Sequence, residues 1–242
     1  MDIGKSFTFV FEDEDWIVKI LIAAGVFLAG LVVGGLFFWI ILIPTILAFA
    51  LPGGYALQIT RRVIGGRADL LPEWDNWGEL FMEGVKLLVI MFVYYLPQIV
   101  VSVILGPIAG ALGDQAEGLS VLMSLCLSCF NLLWFLVVSL LLPAAIAFYA
   151  DSGELKDAFR FGEIVAFVRD HFTTYLITAV MSWVAGIIGI LGTVVCGVGA
   201  LVTFPYAWMA TGHLYGQAYL EAKGQLAAPA PPADLFDEAE AE

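Results

Sequence analysis

Forty-one consecutive residues, between Lys19 and Arg61, carry no charge. As one helix they would run roughly 60 Å at 1.5 Å per residue. The hydrocarbon core of a bilayer is only about 30 Å thick. The block must therefore fold back, and Gly34-Gly35 is its natural turn. Two further neutral stretches repeat the logic. His171 to Leu220 holds no Asp, Glu, Lys or Arg, and Gly192 to Gly199 offers a turn near its middle. Leu87 to Ala150 is broken only by Asp114 and Glu117, next to the Gly106–Gly113 segment, which reads as an external loop.

The cations sort with these blocks. Lys5, Lys19, Arg61, Arg62, Arg67, Lys86, Lys156, Arg160, Arg169 and Lys223 flank the neutral stretches and never interrupt them. Lys and Arg beside membrane spans concentrate on the cytoplasmic side. The expected architecture is all-α and integral to the membrane. It has about six transmembrane helices, near 16–34, 36–60, 84–105, 119–149, 171–191 and 196–220, arranged as three helical hairpins. Both termini are cytoplasmic, in a multi-pass protein of the cytoplasmic (inner) membrane. Pro44 and Pro52 leave a second option for the first hairpin: one span plus a re-entrant helix. Residues 1–15 read as an interfacial segment, 16–224 as the membrane domain, and 225–242 as a disordered acidic tail.

Composition agrees. The chain is 61% hydrophobic and 14% charged, with a mean hydropathy of +0.94. A water-soluble domain this apolar would expose large adhesive patches. The net charge of −13 argues against nucleic acid as a partner. Membrane lipids are the expected partners, with a membrane protein or a second copy as further options. The first 16 residues hold five acids, the opposite of a basic secretory leader.

The connectors look amphipathic. From Pro72, the residues Trp74, Trp77, Phe81 and Val85 recur at helical spacing, with Glu73, Asp75, Glu79 and Glu83 elsewhere. That pattern predicts a helix in the headgroup region, anchored by Trp74, Trp77 and Phe81, with Trp16 at the first span. Leu155, Ala158, Phe159, Gly162 and Ala166 make a similar face, and Asp151 with Glu154 resembles a capping box. Phe7, Phe9 and Phe11 are expected on the membrane surface. Pro52, Pro143 and Pro205 each fall in the second helix of a hairpin, which suggests a threefold hairpin repeat.

Chemistry is sparse. No acid, Lys or Arg lies deep in a span, which weighs against proton relays and intramembrane acid–base catalysis. His213 is the ionisable exception and is expected to be a hydrogen-bonded packing residue; His171 is expected at the interface. Cys126, Cys129 and Cys196 read as small buried apolar residues. No metal site, cofactor or enzymatic activity is indicated. The best polar feature is a stripe of Ser120, Ser124, Ser128, Asn131 and Ser139, which share one helix face. It would serve helix packing or line a polar path, with Gln98, Gln217 or Thr211 as partners for Asn131. Gly30 and Gly34 form a small-residue packing motif.

Met1-Asp2-Ile3-Gly4-Lys5, Glu14-Asp15-Trp16, Gly54-Tyr55-Ala56-Leu57 and above all Leu71-Pro72-Glu73-Trp74-Asp75-Asn76-Trp77-Gly78-Glu79-Leu80-Phe81 resemble an uncharacterised prokaryotic membrane family, domain of unknown function family 4013. The resemblance covers roughly residues 1–222. It implies a bacterial or archaeal integral membrane protein and supplies no reaction, substrate or catalytic residue. The functional expectation is a non-enzymatic membrane scaffold or accessory subunit. The alternative is a transporter or flippase for a small neutral or lipidic substrate.

Overall fold

Apolar helices bury their backbone polar groups internally, so a chain of neutral blocks should be helical wherever it meets lipid. The computed structural model describes residues 1–36, 42–67, 71–113, 116–194 and 199–225, with the backbone alone for 30–36 and 42–48. All regular structure among these is helical. A short α1 (Ile3–Thr8) leads through a 3-10 turn to α2 (Trp16–Leu36). Then come α3 (Leu42–Ile64), α4 (Trp77–Leu112), α5 (Glu117–Ser152), a 3-10 turn at Leu155–Phe159, α6 (Phe161–Asp170), α7 (Phe172–Leu191) and α8 (Ala200–Ala222).

Three of these helices, α4, α5 and α7, are long and apolar enough to cross a membrane, among the described residues. The sequence expectation was six. The difference follows from position in the bundle. α3 and α8 carry Thr60, His213 and Gln217 and many small residues, and they are enclosed by the others. A helix screened from lipid has no need of uniform hydropathy. For α2, the described apolar part is the shorter Trp16–Ala29.

α3, α5 and α8 touch one another at the centre. Around them, α2 lies on α3 and α8, α4 on α3 and α5, and α7 on α5 and α8. Each central helix contains one of the prolines singled out above. α4 also contains two, Pro97 and Pro107. Small residues let the central backbones approach. A β-carbon on Gly84 of α4 would overlap the Ala50 carbonyl of α3, and one on Gly212 of α8 would overlap that of Ala56. The packing of the Gly30/Gly34 motif lies outside the described residues.

Several boundaries move. α2 runs through Gly34-Gly35 to Leu36, so those glycines are helical rather than a turn. The stretch Gly106–Gly113 is helical as far as Leu112 rather than a loop, and α5 begins at Glu117. Apolar neighbours carry the helix past Pro107, since a membrane-type helix tolerates proline when other groups re-satisfy its backbone. Residues 71–76 are not helical, so there is no separate interfacial helix from Pro72. Asn76 caps α4: its side chain accepts from the Glu79 N–H at 3.4 Å and donates to Glu79 Oε2 at 2.7 Å. The second connector is split at Arg160 into the 3-10 turn and α6, whose Ile164 and Val168 are buried. Asp151 is no cap. It belongs to the last turn of α5, which Gly153 closes with φ 74° in the left-handed region.

Candidate functional site

The charged groups gather at one end of the bundle. Lys19, early in α2, reaches Asp13 and Glu73, each at 2.8 Å. Arg61 in the last turn of α3 donates to Glu83 in α4 at 2.8 Å, and Lys86 donates to the same carboxylate at 2.9 Å. Tyr149, near the end of α5, adds a third hydrogen bond to Glu83 at 2.5 Å. Asp151 accepts from Tyr219 and Lys223 of the α8 end, both at 2.7 Å. Thr174 at the start of α7 donates to Glu221 at 2.9 Å. These links bring the starts of α2, α4 and α7 and the ends of α3, α5 and α8 together. Glu83, at 7% exposure, is the buried hub of this seam. Its role as a hub was not visible in the sequence because Arg61 and Tyr149 lie 22 and 66 residues away.

The N-terminal segment inserts beside this seam. Ser6 lies within hydrogen-bond reach of His213 Nδ1 at 2.9 Å, and Phe9 stacks on the same ring at 4.4 Å between centroids. Tyr206 donates to the Phe7 carbonyl at 2.6 Å. Phe9 is thus 2% exposed rather than on the membrane surface, whereas Phe11 stays exposed and meets the edge of Trp16 at 4.9 Å. His213 is the packing residue its isolation suggested; its partner is Ser6. His171 lies at the α6–α7 junction with Nδ1 3.0 Å from the Phe167 carbonyl oxygen.

The proposed anchors separate. Trp74 is buried and stacks on Tyr55 at 4.5 Å, while Tyr55 donates to the Pro72 carbonyl at 2.9 Å. Together they pin the non-helical 71–76 segment to α3. Trp77 is exposed and Phe81 and Trp16 half-buried, at the charged end.

The polar stripe on α5 does not converge on a cavity. Ser124 and Ser128 are exposed on the outer side of the hairpin, as are Cys126 and Cys129. Ser120 donates to the Ala109 carbonyl at 2.7 Å and closes the α4–α5 turn. Asn131 accepts from Ser102 at 3.1 Å, one turn beyond the expected Gln98. Ser139 bonds its own helix at Phe135 and Leu136. Cys196 falls outside the described residues.

A cavity of about 260 Å³ lies instead among α3, α4, α5, α7 and α8. Leu57, Met91, Leu142, Ile146 and Trp208 give it apolar walls; Thr60, Ser182, Thr211 and Tyr215 add hydroxyls. Those hydroxyls are engaged. Thr60 donates between the Ala56 and Gly212 carbonyls at 3.1 and 2.9 Å, Thr211 to Ala207 at 2.7 Å, and Ser182 to Thr178 at 2.7 Å. Tyr215 lies beside Ser182.

The chain belongs to a protein family of unknown function. That family, described as Protein of unknown function (DUF4013), matches residues 37–198. No curated protein and no solved structure matches the chain. The matched stretch contains α3 to α7, and with them Glu83, Tyr149 and the Thr60 and Ser182 walls of the cavity. α8, which supplies Trp208 and Tyr215, lies beyond it. In sequence the cavity was illegible apart from one signal, Gly212-x-x-x-Gly216, a small-residue face that brings α8 against α3.

Proposed function

We propose that this protein is a six-span, non-enzymatic component of a prokaryotic cytoplasmic membrane, with both termini cytoplasmic, acting as a scaffold or accessory subunit. The spans are α2, α3, α4, α5, α7 and α8, three hairpins descended from one repeated unit. The observation that carries the reading is the gathering of the ion pairs at one end of an otherwise apolar bundle. That end is the one the positive-inside tendency assigns to the cytoplasm. The apolar flanks of α4, α5 and α7 favour burial in lipid. Glu83, Arg61 and Lys86 are committed to one another, as are Asp151 and Lys223, which supports a structural role over catalysis.

Reporter fusions after Arg67, Arg160 and Lys223 should report cytoplasm, and fusions at Gly113 and Gly199 the opposite face. Any reversal removes the topology. Purification in a mild detergent should recover a reproducible membrane partner or a defined oligomer; a lone monomer in every preparation counts against the scaffold role.

The central cavity favours a second reading, a transporter or flippase for a small neutral or lipidic substrate. The α5 stripe no longer supports it, because Ser124 and Ser128 face outward. Cysteine at Thr211 or Ser182 should react with a membrane-impermeant thiol reagent if a watered path reaches the cavity. Silence there favours the scaffold.

A further inference from the structure

We propose that the central cavity is a binding site for one hydrocarbon chain of a membrane lipid. The inference rests on the membrane reading above and goes beyond it by assigning an occupant.

The shape argues for a chain. On α8 the lining runs from Phe204 to Tyr215, a rise of about 16 Å, and on each of α3, α4, α5 and α7 it covers about one turn. A volume of about 260 Å³ set along that α8 wall suits part of a single hydrocarbon chain rather than fused rings. Water is a poorer occupant. A buried water needs two to four polar partners, the walls are mostly apolar, and Thr60, Ser182 and Thr211 have given their protons to backbone carbonyls. Dry apolar cavities accept apolar guests.

The mouth is on α7. Gly186 lines the cavity, is exposed, and has no atom within 4 Å of the place a β-carbon would take. Its neighbours Val184, Ile187 and Ile190 are exposed apolar residues, so the medium outside that opening is lipid chain. A chain enters past Gly186 and lies against Trp208 and Ile146. The Ser182–Tyr215 pair marks the end of the slot toward the charged seam.

The full chain, reconstituted in vesicles of phosphatidylethanolamine and phosphatidylglycerol, is photolysed with a trace of phosphatidylglycerol bearing a diazirine in mid-chain. Peptide mass spectrometry then locates the adducts. Adducts are expected on Trp208, Thr211 or Ile146, and also on outward residues such as Leu125 and Leu133. Gly186→Leu should cut the cavity adducts at least fivefold and leave the outward ones unchanged, which shows that the variant is folded and embedded. Thr211→Met makes the same test from the opposite wall. A parallel arm with a diazirine polyprenol separates an isoprenoid from an acyl occupant, and cavity labelling by either supports the site. Adducts confined to outward residues, or cavity adducts indifferent to both variants, overturn the inference while leaving the membrane reading intact. Adducts nowhere overturn both.

Discussion

The charged end of the bundle and the far half of the α4–α5 hairpin are built from the same two helices by opposite means. Near the seam, Leu80, Glu83, Gly84, Leu87, Ile90 and Tyr94 of α4 are buried, as are Val138 and most residues from Leu142 to Ala150 of α5. Beyond Tyr94 and Val138, Ala109 is the buried residue of the hairpin among those described. Val103, Ile104, Leu125, Leu132 and Leu133 are all more than half exposed. The near half is held by specific contacts: glycine against carbonyl, carboxylate against two cations and a phenol. In the far half α4 and α5 pack chiefly on each other under an exposed apolar coat, with Phe135 stacking on Trp183 of α7 at 5.8 Å. Each helix has 36 residues, about 54 Å of rise. That exceeds a roughly 30 Å hydrocarbon core, so a hairpin of this length set across a bilayer would tilt or overshoot it. Specific stability is therefore concentrated at one end.

Substitutions can break that contrast. The largest effect should come from Gly84→Leu, which drives a side chain into the Ala50 backbone. We expect a loss of more than about 3 kcal/mol or failure to accumulate. Gly118→Leu, with open space at its β-carbon, should stay within about 0.5 kcal/mol by thermal unfolding in detergent. Equal effects at the two glycines would remove the distinction between the halves. Next comes Glu83→Gln, which leaves Arg61 and Lys86 without their shared counter-charge. About 3 kcal/mol should be lost, against less than about 0.5 kcal/mol for Glu117→Gln at the far turn.

Asn131→Leu sharpens the comparison from the other side. It removes the Ser102 bond in the far half and should cost only about 1 kcal/mol. The smallest effect lies at the rim of the seam. Burial works against the charge of Lys223, but its bonds to Asp151 and Tyr219 outweigh that and raise its pKa above 10.5. A raised lysine pKa stabilises below the unfolded value and loses that contribution as pH climbs through the folded one. Melting temperature should therefore fall slightly above pH 10.5, and Lys223→Gln should remove that part of the fall. Solvent screening keeps the effect to a few tenths of a kcal/mol.

Much of the fold was legible because lipid imposes a simple rule. The neutral blocks announced the helices, the cations announced a common end, and Pro52, Pro143 and Pro205 fell inside the helices that meet at the centre. Local pattern failed where partners are distant. Trp74 has the spacing of an interfacial anchor, yet Tyr55 draws it inward and holds the chain out of helix. Phe9 looks like a surface aromatic, yet His213 receives it across 204 residues of sequence. The Ser124–Asn131 stripe has helical period without an inner neighbour, because the hairpin there stands apart from the other helices.

What the sequence alone marked is which stretches are neutral and apolar enough for lipid and which are charged, since an unpaired charge in lipid is costly. Which polar groups find each other was decided only in three dimensions. The cavity belongs to that second class. Five helices contribute to its wall, and the space among them depends on how closely Gly84 and Gly212 let α4 and α8 approach α3, a distance no single stretch of residues encodes.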